Sequence, residues 1–185
     1  QSKKMSTRFK VSTLEIAGFA SVLAALRLPF GKEMRSKADW QVSTNNNILF
    51  QSSISIDPKD LTLMSTLVKR GDEHAKAIRG LQVYASIEAP IWFYRELETY
   101  RVGRERLSSE STMHIDCKGL NGEELMKTKD EIPSGKIQKT IDCFSYQTLR
   151  RIYFQRRNHR LPVWHEFCEW IESLPYASEL IIVEK

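Results

Sequence analysis

Over residues 81–87 the chain alternates strictly. Leu81, Val83, Ala85 and Ile87 take one side, Gln82, Tyr84 and Ser86 the other, and Pro90 ends the run. A period of two is the mark of a β-strand with one apolar and one polar face. Such a strand is half-buried, so it needs a sheet with packing against one side. Helical spacing lies before and after it. Upstream, Asp57, Pro58, Lys59 and Asp60 form a helix start. Asp57 can accept the free amides of the first turn, Pro58 suits the first helical position, and Asp60 opposes the positive end of the dipole. Behind them Leu61, Met64, Leu67, Val68, Gly71, Ala75 and Ile78 predict one helix to about Gly80. Downstream, residues 91–101 resume helical spacing, with Trp92, Leu97 and Tyr100 available for a core.

The rest of the chain reads the same way. Residues 1–12 are a frayed start or a first strand, and residues 14–28 are small and apolar at helical spacing until Pro29 and Gly31 stop them. Residues 43–47 read as a turn and 48–56 as a weakly alternating strand. Residues 119–136, rich in Gly, Glu, Lys and Pro, read as a mobile, solvated excursion. One helix is expected from Ser145 to about Asn158. Another has Pro162 in its first turn and Val163, Trp164, Phe167, Cys168, Ile171 and Leu174 on one face. No repeat or linker divides the sequence. The expectation is a single α+β domain over residues 1–185, with a small mixed or antiparallel sheet packed with more helices than strands.

Composition narrows the function. With 41% apolar and 28% charged residues the chain is not a disordered one. No apolar run approaches the roughly 20 residues of a membrane span, and no secretory signal is expected. Cys117, Cys143 and Cys168 form no CxxC, which suits a reducing cytoplasm. A net charge of +5 suits an anionic ligand but is far from a nucleic-acid-binding tail. Nucleic acid is further disfavoured because Glu166, Glu169, Glu172 and Glu179 follow the last basic group. His165 and Glu169 lack a third metal ligand and read as an ion pair, Cys168 reads as core, and no G-x-S-x-G is present.

The densest polar chemistry lies in residues 100–114. Arg101, Arg104 and Arg106 precede Ser108, Ser109, Ser111 and Thr112, with Glu110 and His114 among and after them. Guanidinium forks and hydroxyls together match phosphate oxygens, while Glu110 and His114 suit a sugar hydroxyl or a base edge. The same residues also fit a solvated, salt-bridged turn in which Glu96, Glu98 and Glu105 offset the arginines. A second basic group comprises Arg150, Arg151, Arg156, Arg157, His159 and Arg160. Arg156, Arg157 and Arg160 either close over the same anion or sit at a solvated helix end. The third, Arg27, Lys32, Arg35 and Lys37, lacks a phosphate-loop spacing and reads as ordinary surface.

Residues 71–114 resemble the centre of the flavin-dependent thymidylate synthases, the ThyX family. The order is Gly71, Asp72, Glu73 and His74, the strand over 81–87, the helix over 92–101, and the Arg- and Ser-rich run to His114. Taking Arg101 as the first signature arginine, Ser111 matches the second serine; taking Arg104 as the second arginine, Gly103 replaces the histidine. The resemblance is nearest to a phage- and prophage-associated branch. It implies a ThyX-like fold, a homotetramer, FAD as a possible cofactor, and Arg101, Arg104 and Ser111 as anion contacts. Three functions follow as expectations. The chain binds or sequesters a nucleotide, or another phosphorylated small molecule, at an oligomer interface. Alternatively it is a divergent flavin enzyme that reductively methylates dUMP, or an interaction protein with no small ligand.

Overall fold

The computed structural model describes residues 8–33, 35, 37–42 and 50–184. The turn expected over 43–47 lies outside them. The elements run β1 (Lys10–Ala17), α1 (Phe19–Arg27), β2 (Lys37–Val42), β3 (Phe50–Ser55), α2 (Pro58–Lys69), β4 (Gln82–Pro90), α3 (Ile91–Leu97) and β5 (Arg104–Ser109). There follow α4 (Thr112–Ile115), α5 (Gly122–Glu131), β6 (Ile137–Ser145), α6 (Tyr146–Arg156), α7 (Pro162–Glu172) and α8 (Ala177–Leu180). Four strands form an antiparallel sheet in the order β1-β4-β6-β5, and β2 and β3 pair as a separate hairpin. The fold is α+β.

The alternating strand is β4, at the centre of the sheet. Its inward side chains Val83, Ala85, Ile87 and Ala89 are completely buried. Phe144 of β6 carries the same face onto α7, packing edge-on to Phe167 and Trp170. Phe93 of α3 joins them through Trp164, Phe167 and Phe9. The apolar face expected for α7 is therefore the core face. Cys168 sits in it, and burial pushes its thiol up to about 12.

Three readings change. The helix expected over 14–28 starts only at Phe19, because residues 10–17 pair with β4. Strand pairing outweighs the helical spacing of single residues. Gly18 makes the corner at φ 101°, and a Cβ there would lie 2.0 Å from the Gly80 carbonyl oxygen. The helix begun at Asp57 does form, with Asp57 accepting from Lys59 N at 2.8 Å, but it ends at Lys69. Gly71 and Asp72 are poor helix formers, and Ala75–Arg79 is a short 3₁₀ turn. The 119–136 excursion is solvent-exposed but contains α5. In the third basic group, Arg27 binds the buried Asp60 from Nε at 2.8 Å and Nη2 at 2.5 Å, tying α1 to α2.

Gly18→Ala meets both a left-handed backbone and a carbonyl wall. It is expected to lower stability by more than about 1 kcal/mol, measured by urea denaturation.

Candidate functional site

The arginine-rich segment is the edge strand β5, and two of its guanidinium groups are turned inward. Arg104 donates from Nε to Asp142 Oδ2 at 2.7 Å, and its Nη2 lies 2.5 Å from the same oxygen. Its Nη1 reaches Glu98 Oε1 at 3.2 Å. Arg106 Nη2 lies 3.1 Å from that Glu98 oxygen, while its Nε faces Asp142 Oδ1 at 3.8 Å. The side chains of Asp142 and Arg104 are 0% and 3% exposed, so this is a buried ion pair and not a surface one. The Arg106 guanidinium also covers the Tyr94 ring at 4.9 Å. Burial pushes the Tyr94 phenol up to about 12, which keeps it protonated between the Ile87 and Gln138 carbonyl oxygens.

The second basic group meets the first on α3. Arg156 donates from Nε to the Tyr100 hydroxyl at 2.8 Å and from Nη1 to Glu96 Oε2 at 3.3 Å, and lies over the Trp164 ring. Trp164 Nε1 donates to the same Glu96 oxygen at 2.7 Å. Arg157 reaches Glu184 instead, at 3.0 Å. Glu110 extends the β5–β6 ladder through its backbone and accepts from Lys139 N at 2.9 Å. Ser111 precedes α4 as its N-cap, and Ser108, Ser109, His114 and Arg160 are exposed. Arg101 is also exposed, 4.0 Å from Glu98.

An open cavity of about 420 Å³ lies beside this network. Its walls are Val102 and Gly103 of the turn into β5, Ser145, Gln147, Thr148 and Arg151 at the start of α6, and Asp72, Arg79 and Gln82 opposite. Local chemistry explains the arrangement. Ser145 is the N-cap of α6 and accepts from Thr148 N at 3.1 Å. Its own amide donates to the Gly103 carbonyl at 2.8 Å, and the Thr148 hydroxyl donates to the Val102 carbonyl at 2.7 Å. Gly103, at φ 77°, is pressed so closely on these hydroxyls that a Cβ would fall 2.3 Å from Thr148 Oγ1. Arg79 Nε donates to Gln147 Oε1 at 2.6 Å. The cavity thus joins the positive end of an 11-residue helix to two guanidinium groups, against one carboxylate, Asp72.

Sequence reasoning singled out Arg151 only as one of a group, and passed over Arg79. Nothing in the local pattern marks Arg79, which ends a 3₁₀ turn 68 residues from its partner Gln147. It also passed over Asp142. Its only signal is an acid within a run that forms strand β6, where it faces the core.

The central antiparallel sheet, the helices packed on one face of it and the chain order of these elements define the fold of the flavin-dependent thymidylate synthases. Solved structures of ThyX from Helicobacter pylori are similar over nearly the whole chain. One, complexed with FAD and dUMP, aligns with a TM-score of 0.67 at 11% identity, covering 95% of this chain and all of that one. Another, with FAD and dUMP at 2.31 Å resolution, gives 0.66 at 11% identity, covering 94% and 97%. No family model and no curated protein matches the sequence. At such low identity the likeness establishes the fold. No helix among the described residues is long and apolar enough to cross a membrane.

Removing one partner of the buried pair strands the other. Asp142→Ala is expected to cost about 3–5 kcal/mol in chemical denaturation, and pairing Asp142→Leu with Arg104→Met to restore much of the loss.

Proposed function

We propose that this chain binds a nucleotide, or another phosphorylated small molecule, in the cavity at the start of α6. The observation that carries the reading is the meeting of a helix N-terminus with Arg79 and Arg151 in one space of about 420 Å³. That volume falls within the roughly 300–1,000 Å³ of small-molecule sites. Phosphate oxygens would take the guanidinium donors and the first-turn amide of Gln147, and a base or sugar edge would meet Gln82 and Asp72. Arg101, next in sequence to the lining residue Val102, would add a third positive charge. The ThyX structures support the class of ligand because they hold dUMP on the same fold.

In this reading the protein is a homo-oligomer that sequesters its ligand. The exposed groups Ser108, Ser109, His114, Arg157 and Arg160, with the half-buried Ser111, complete the site across a boundary between copies. Arg104, Arg106 and Arg156 act beneath it, holding Glu98, Asp142 and Glu96. A phage-encoded member acting in a host cytoplasm would fit such a role.

FAD is a poorer match to these residues. Among the described residues, the cavity lining includes no aromatic ring to lie against a flavin, and Arg104 and Arg106 already face carboxylates. The alternative, reductive methylation by a divergent flavin enzyme, therefore predicts a yellow purified protein that exchanges the C5 hydrogen of dUMP. The binding reading predicts a colourless one that releases an intact nucleotide on heating.

With dUMP and a panel of mononucleotides, at least one ligand is expected to raise the melting temperature. At one hundred times the dissociation constant the gain is about 2.7 kcal/mol. Arg79→Ala and Arg151→Ala should each weaken calorimetric binding about tenfold or more, since a hydrogen bond to a charged group contributes about 1.5–3 kcal/mol. No melting shift with any nucleotide would leave the interaction-protein reading.

A further inference from the structure

A second, smaller cavity of about 210 Å³ lies between α3, α4 and α5, lined by Ile91, Arg95, Thr112, Lys129, Ile132 and Ser134. It shares no lining residue with the cavity at the start of α6. We infer that this pocket is a separate binding site for a phosphoryl dianion, gripped by Arg95 and Lys129.

The charge balance is the first argument. Two of the six lining side chains are permanent cations, two are hydroxyls, and none is a carboxylate. Among the described residues Arg95 has neither an ion pair nor a hydrogen bond, although Glu96 lies on the same helix and Glu98 caps its end. Those acids are turned to Arg156 and to Arg104 and Arg106. Lys129 Nζ donates to Thr112 Oγ1, which leaves its other two protons for a ligand. A planar guanidinium, an ammonium and two hydroxyls form the donor set that phosphate oxygens take.

Rigidity is the second. The first two amides of α3 are already satisfied by the turn after α5. Ile91 N donates to the Lys136 carbonyl and Trp92 N to the Ser134 carbonyl, both at 3.0 Å. That turn is closed on itself by Lys136 N to the Pro133 carbonyl at 2.9 Å. Lys136 binds Asp116, and Arg8 donates to the Gly135 carbonyl at 2.8 Å. The acid nearest in sequence to the end of α4 is therefore held by a different lysine. Ser134 and Lys129 stand on a braced wall, so little ordering is required when an anion arrives.

Size is the third. The space lies below the roughly 300 Å³ at which small-molecule sites begin, so it suits one phosphoryl group and not a whole nucleotide. Ile91 and Ile132, both half-buried, give that group an apolar flank.

The test is residue-resolved chemical footprinting of the full chain. Phenylglyoxal labelling of Arg95 and acetylation of Lys129 are followed by mass spectrometry, with chloride at matched ionic strength as control. Inorganic phosphate is expected to slow both reactions several-fold. Lys129→Gln should abolish the protection of Arg95, and Arg151→Ala should leave it unchanged. Both changes are at exposed positions, and near-ultraviolet circular dichroism verifies the fold. Protection by phosphoserine as well as by phosphate assigns the site to a phosphomonoester; protection by phosphate alone assigns it to the free anion. Equal labelling rates in phosphate and chloride overturn the proposal, as does protection that persists in Lys129→Gln.

Discussion

The charge pair between Asp142 and Arg104 joins the edge strand to the sheet from inside. Taking a carboxylate out of water costs several kcal/mol, and Asp142 is wholly buried, so its position is tenable only with a close cation. Arg104 meets that need by setting two nitrogens on one Asp142 oxygen and passes its third nitrogen to Glu98 at the end of α3. One guanidinium thereby fixes three elements, β5, β6 and the C-terminus of α3. The short link of residues 98–103 between α3 and β5 is held at both ends, and the Val102–Gly103 turn is brought against the start of α6. The cavity beside that helix follows from a buried acid some distance away.

This division of labour explains why a chain with 28 basic residues has so few of them free at one place. Arg27, Arg104, Arg106 and Arg156 each face an acid that lies far away in the sequence or across the fold. Arg150 is similar in kind. It donates to the Ile181 and Val183 carbonyls and holds down the C-terminal segment, and burial lowers its pKa. Because the structural arginines are paired within the core, the cations left at a cavity wall stand out. Arg79, Arg151, Arg95 and Lys129 are of that second kind, and none belongs to the densest run of charge.

What could be read in advance divides along the same line. The central strand, the cap at Asp57 and the apolar face of α7 are local patterns set by one period or one side chain, and the structure contains all of them. Strand β6 was not legible because its alternation is inverted. Ile141 and Cys143 point to the outer face, whereas Thr140 and Asp142 point to the core. An inward acid at Asp142 makes sense only once β5 places Arg106 opposite it and Arg104 within reach of its carboxylate. The 101–106 run shows the converse. Its composition reads equally as anion site or salt-bridged surface, and the choice rests on Asp142, 38 residues downstream of Arg104.

A TM-score of 0.67 at 11% identity indicates which constraints the fold needs and which it can lose. The sheet asks for buried apolar faces and for a glycine where the turn presses on the α6 hydroxyls; many sequences satisfy both. A flavin reaction asks for more, since a cofactor ring must be held against a pyrimidine to within a fraction of an ångström, and a displacement of about 1 Å can cost a hundredfold in rate. Binding a phosphate-bearing ligand tolerates looser placement, because a helix N-terminus and two arginines act through charge as well as geometry. The demands of binding a phosphate-bearing ligand are therefore met by more side-chain sets than those of a flavin reaction on the same fold. Among the described residues, the cavity at the start of α6 is lined by Arg79, Arg151 and the first turn of that helix, with no aromatic side chain in its lining.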